Sequence, residues 1–303
     1  MPIKSGLKKK DIMTAIRAFI KRHPVLTYFV LTFAISWGGL FLGSGGPSGF
    51  PRTKEQFERM LPLFIPVVLA GPSLAGILLT ALMYGKLGFR EILSRLFKWR
   101  VGARCYAVAL LIGPLVLTVE LLALSLFSPG FLPGIFLSED KASLLFMGSV
   151  AGLVVGFFEE IGWTGFATPR LRLRYGVFTT GLIVGVLWGA WHIFLNVVWV
   201  SGAYSGGLSP ALFLTARGFG DLVGLLPAFR VLMVWVYDRT GSLLVAMLMH
   251  ASLTASTMIV EPPGISGVSL LIYDLVSAVA MWGVVAAVAV ANPGQLSQQP
   301  LSK

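Results

Sequence analysis

The sequence predicts an all-α fold: a polytopic membrane helix bundle with about eight transmembrane helices. Three observations carry that expectation. Of 303 residues, 56% are hydrophobic and only 12% are charged, about half the roughly 25% charged share of a soluble domain. Eight apolar runs each approach the ~20 residues that a spanning helix needs. Basic residues also gather in alternate gaps between those runs, as they do when cytoplasmic loops retain Lys and Arg.

The runs are Val25–Leu42, Leu61–Tyr84, Tyr106–Phe127, Ala142–Phe166, Val177–Val200, Leu212–Tyr237, Ser242–Val260 and Val268–Ala291. The first has the apolarity of a secretory signal, but no small-residue cleavage site closes it and seven more runs follow, so it reads as a span. The sixth contains Arg217, Asp221, Arg230 and Pro227. Pro lacks a backbone donor, which predicts a kink at Pro227. Arg217 and Asp221 are four apart and are expected to pair on one face. Glu120 and Asp274 are single acids within spans, with no partner evident from sequence. The chain divides into a basic amphipathic segment at 1–23, one transmembrane domain at 24–292 and a polar tail at 293–303.

The net charge of +11 does not indicate nucleic acid, because the cations are spread rather than gathered into a patch. Of the 24 Lys and Arg residues, nineteen fall in the N-terminal tail, the second and fourth gaps, the sixth-to-seventh side (Arg230 toward the end of the sixth run, and Arg239) and the C-terminal tail. The positive-inside rule places both termini in the cytoplasm of a multi-pass protein of the cell membrane. Ile12, Ile16, Phe19 and Ile20 recur at helical spacing among basic residues, as do Phe89, Ile92, Leu93, Leu96 and Phe97. Both sets predict helices lying on an anionic lipid surface. Cys105 is the only cysteine, so no internal disulfide or cysteine-based zinc knuckle can form.

Polar groups inside the bilayer are costly, at ~2.5–3.5 kcal/mol for a charge near its centre, and therefore mark function or pairing. The fourth run carries Glu159 and Glu160, the fifth His192 and Asn196, and the seventh His250 and Thr254. At 1.5 Å per residue, Glu159 lies ~15 Å above the cytoplasmic helix end, His192 ~20 Å and His250 ~14 Å. Three helices thus bring these groups to a common level. His192 shares a face with Asn196 and Trp188, and His250 with Thr254. Glu159 and Glu160 lie about 100° apart around their helix and must address different neighbours. A carboxylate with a histidine can activate water while a second histidine holds an oxyanion. Glu159, His192 and His250 are equally a zinc-type ligand set. The residues admit both a zinc and a metal-independent mechanism, and both give hydrolysis. A purely structural network and a proton relay are the competing readings, the relay weakened by the lack of an inverted repeat.

At these residues the sequence resembles the CPBP membrane proteases, which include the type II CAAX-prenyl endopeptidases and bacterial Abi proteins. The family motifs are Glu-Glu-x-x-x-Arg, aromatic-x-x-x-His and His-x-x-x-Asn. Here they read Glu159-Glu160-Ile-Gly-Trp-Thr164, Trp188-Gly-Ala-Trp-His192 and His250-Ala-Ser-Leu-Thr254. The resemblance implies a catalytic core at about 142–260 and a membrane-associated peptide or protein substrate. It implies Glu159 as the water-activating carboxylate with His192 as partner, and His250 and Asn196 at the oxyanion. It further implies a supporting Glu160 and a site open to the cytoplasm. Thr164 stands where the motif has Arg, and Thr254 where it has Asn. Arg170, Arg172 and Arg230 are the nearby cations that can replace the missing Arg. These departures also motivate a non-catalytic scaffold or bacteriocin-immunity-type protein on the same fold.

Overall fold

A computed structural model describes residues 14–198, 200 and 204–296; the rest of segment 1–23 and of tail 293–303 lies outside them. Among the described residues the chain is helical with no strand, and eight helices are long and apolar enough to cross a membrane. They are built from α1 (Pro24–Gly43), α2 (Lys54–Leu96), α3 (Ala103–Ser125), α4 (Lys141–Gly162), α5 (Thr168–Arg172), α6 (Val177–Val198), α7 (Pro210–Val223), α8 (Leu225–Thr240), α9 (Leu243–Val260) and α10 (Gly267–Ala291). A π-helical turn, Trp163–Ala167, joins α4 to α5, so these make one span; α7 and α8 make another. Large apolar side chains such as Val30, Leu78, Val119, Phe146, Leu275 and Val279 point outward, an exposed apolar surface of the kind that suits lipid.

Helix starts follow their capping residues. The side chains of Thr53, Asp140, Ser209 and Ser242 accept backbone N–H groups of the first turns of α2, α4, α7 and α9, satisfying donors that have no intrahelical partner. Hydrogen bonds from Ser143 hold the Asp140 carboxyl below its usual range.

Two spans differ from expectation. The second run continues as helix to Leu96, broken only at Gly85, where φ is +55° and ψ is −138°. That backbone is open to glycine and strained for other residues, and it turns the apolar-and-basic stretch 86–96 into an arm at the basic end of the bundle. In the sixth span the break falls at Gly224, with ψ −127°, rather than at Pro227. Pro227 sits in the first turn of α8, where a missing N–H costs nothing. Residues 14–22 are helical as the amphipathic spacing predicts.

The most extensive helix–helix contact, between α4 and α9, positions the site. On α4, Gly148, Gly152 and Gly156 recur every four residues against α9. A Cβ on Gly156 would lie 2.6 Å from the Met247 carbonyl oxygen. Small residues at this spacing let two membrane helices approach backbone to backbone. α6 lies against α7 and α8, and α2 against α1 and α4, which completes the enclosure.

Candidate functional site

Glu159 and Glu160 leave α4 one turn before the π turn, and both are buried. They address different neighbours, as their angular separation requires. Glu159 Oε2 accepts the indole N–H of Trp163 at 3.0 Å and of Trp188 at 2.9 Å. Glu160 Oε2 accepts from Arg230 Nη1 at 2.8 Å and from the Thr164 hydroxyl, while its Oε1 meets His250 Nδ1 at 2.7 Å. A carboxylate has no proton to give, so His250 Nδ1 carries the hydrogen and donates. That bond turns His250 Nε2 toward Glu159, 4.0 Å from Oε2.

His192 is fixed in the same way. Its Nδ1 lies 2.9 Å from the Trp188 carbonyl, which can only accept, so Nε2 is the nitrogen left for chemistry. The Trp188 ring links the set: it lies 5.0 Å from the His250 ring and 5.5 Å from the His192 ring, with the Arg230 guanidinium 4.4 Å over its face.

The missing motif arginine is replaced in space. Arg230 comes from α8, is completely buried and pairs with Glu160, whereas the positive-inside tally places it in a loop. Arg172 instead pairs with Asp238, and Arg170 lies over Phe166 and Tyr84. Thr164 adds its hydroxyl to the same carboxylate oxygen as Arg230. Trp163 is a site residue that the motifs do not single out; its signal is an indole four residues after a buried glutamate, on the same helix face.

These groups form the floor of a cavity of about 420 Å³ lined by residues of α2, α4 and α6 to α10. Glu159, Trp188, His192, Asn196, His250 and Thr254 all line it; Glu160 and Thr164 lie behind its wall. The expected Arg217–Asp221 pair does not form as such. Arg217 pairs with Asp274 of α10 at 3.6 Å, because both reach the cavity. Asp221 accepts from the Asn196 amide, which commits one donor expected at an oxyanion. Glu120 also has a partner, the Ser277 hydroxyl.

The residues do not fit a metal site as they stand. Among the described residues, no three His, Cys, Asp or Glu side chains are grouped to hold a metal ion. Two indole N–H groups occupy Glu159 Oε2, where a cation would meet donors rather than lone pairs.

The fold and this floor define a multi-pass membrane protein with a buried glutamate–histidine centre. Residues 141–256 match the family described as type II CAAX prenyl endopeptidase Rce1-like. The chain is also similar to CAAX prenyl protease 2 of Methanococcus maripaludis, 27% identical over 187 residues. That match covers 58% of this chain and 65% of the relative, just under two thirds of its length. Together these findings make the chain similar to the Rce1-like family, the family model matching residues 141–256.

Proposed function

We propose that this chain is an intramembrane endopeptidase of the CAAX-protease type, hydrolysing a peptide bond with water activated by Glu159 and the histidines. The observation that carries the reading is the buried Glu159–His250–Glu160–Arg230 chain at the floor of a cavity. Glu159 takes a proton from water held between its free oxygen and His192, and the hydroxide adds to the peptide carbonyl. The oxyanion is met by His250 once Nε2 also carries a proton, with Glu160 accepting from Nδ1–H. The proton on Glu159 passes to the leaving amine, giving one carboxylic acid and one amine. Glu160, Arg230 and Thr164 touch no substrate; they hold the His250 ring in orientation.

The basic loops support a cell-membrane protein with both termini in the cytoplasm. Glu159 is 13 residues from Arg172 and 18 from Lys141, which puts the reacting bond nearer the cytoplasmic surface. Prenylated substrates, which the relative's name indicates, are one substrate class to test. The test is cleavage of membrane-tethered peptides, prenylated and not, by purified protein. Glu159→Gln is expected to lower turnover by about 10²–10⁴-fold with the thermal midpoint retained, and His192→Ala to do the same. Retained turnover in Glu159→Gln ends the mechanism. Thr254 in place of the motif Asn favours a second reading, a non-catalytic scaffold or immunity-type protein. Under it, Glu159 and His192 variants would lose folded protein and wild type would cleave nothing.

A further inference from the structure

The cavity has a direction. α9 begins at the basic end of the bundle, where Ser242 donates to the Lys98 carbonyl, and runs away from it. From α9 and the residue after it, the lining residues are His250, Leu253, Thr254, Thr257, Met258 and Glu261, all at or beyond the catalytic level. That stretch spans ~16 Å at 1.5 Å per residue. On α6 the lining continues from His192 to Leu195 and Asn196, and on α4 it continues from Glu159 back to Val155; both steps lead the same way. Toward the basic end the floor is shut. Trp188 and Trp191 form it, with Trp163 and Phe166 buried beneath. At the other end Met258 is half exposed and Arg217 and Asp274 are partly exposed.

The charge of the cavity is equally one-sided. Glu159, Asp221, Glu261 and Asp274 line it against a single guanidinium, Arg217, which is already paired with Asp274. A substrate ending in a free carboxylate beside the reacting bond would enter a field of its own sign. A lysine or arginine side chain would be drawn in.

We propose that the substrate reaches Glu159 from the membrane face opposite the basic loops, as a peptide stretch carrying a basic side chain that Asp221, Glu261 and Asp274 receive. With the basic loops in the cytoplasm, that face is extracytoplasmic. The proposal rests on the peptidase reading and reverses the cytoplasmic opening that the family resemblance implies.

The test needs no turnover. Native Cys105, half-buried at the start of α3, marks the basic end. Thr257→Cys, made with Cys105→Ala, places a thiol on the cavity wall; Met258→Cys serves if that variant does not fold. Cationic and anionic methanethiosulfonates are applied to right-side-out and inverted vesicles. The expected result is that the introduced thiol is modified from the face opposite to the one that labels Cys105 in the wild type. The cationic reagent should be faster by about tenfold, with a smaller ratio in Glu261→Gln. A lysine-containing peptide should protect better than its glutamate counterpart. Modification from the Cys105 face, or from neither face, overturns the route; equal reagent rates or equal protection overturn the basic substrate. Because labelling is read without catalysis, a failed peptidase reading shows separately, as turnover that survives Glu159→Gln.

Discussion

The floor of the cavity and its mouth handle charge in opposite ways. At the floor every charge has a fixed partner: Glu160 is met by Arg230, Thr164 and His250, and Glu159 by two indoles. At the mouth four carboxyl groups, including Glu159 at its base and a Glu261 only partly ionised near neutral pH, share one arginine. A buried pair contributes geometry more than net stability, since desolvation offsets most of the attraction, but removing one partner strands the other. A part-exposed pair such as Arg217–Asp274 is screened and worth at most ~1 kcal/mol. The floor is therefore built to hold atoms still, and the mouth to leave a field unbalanced.

The largest expected effect lies at the floor. Arg230→Met strands Glu160 and should cost about 3–5 kcal/mol, read as a large fall in thermal midpoint. Adding Thr164→Arg returns a guanidinium to the same carboxylate from α4. Recovery of both midpoint and turnover would show that the cation's position in space is what matters; no recovery would tie the role to α8. Next in size is the α4–α9 contact. Gly156→Val pushes a side chain into the Met247 carbonyl and should cost about 1–3 kcal/mol, with turnover falling as Glu159 and His250 separate. An unchanged midpoint would mean the two helices are less closely packed than described.

The smallest effect is at the mouth. Burial first, and then Asp274, push the Glu261 carboxyl from 4.5 up to about 7, with Arg217 pulling it down. Tyr273 also faces it. Since this value exceeds that of the unfolded chain, folding favours the protonated acid. The stabilisation is complete below about 4.5 and is lost as pH rises through about 7. The midpoint of the solubilised protein should fall modestly between about pH 5 and about pH 8, and Glu261→Gln should flatten that slope. A slope unchanged by the variant would remove Glu261 as its source.

The spans are legible in the sequence because a bilayer allows few alternatives: apart from the second, which runs on to Leu96, apolar length and cation placement define most of them within a few residues. Glu159, His192 and His250 can be brought together from depth alone, since polar groups in lipid are few. Pairing partners are not legible. Spacing pairs Arg217 with Asp221 four residues away because sequence displays only local neighbours, whereas Asp274 reaches it from another helix. The break falls at Gly224 and not at Pro227 because proline signals a lost donor but not whether that donor falls in a first turn. The direction of the cavity is invisible for a related reason: it depends on which side of each helix stays unfilled, and spacing does not encode that.

The meeting of Thr164 and Arg230 on one oxygen of Glu160 has a consequence for how such chains are recognised. A guanidinium delivered from a distant helix does the electrostatic work of one four residues along the same helix. A search that demands the cation at its usual place in the string would pass over this chain and any other that supplies it from elsewhere. What descent has to preserve here is a coordinate in three dimensions, and more than one stretch of polypeptide can supply it.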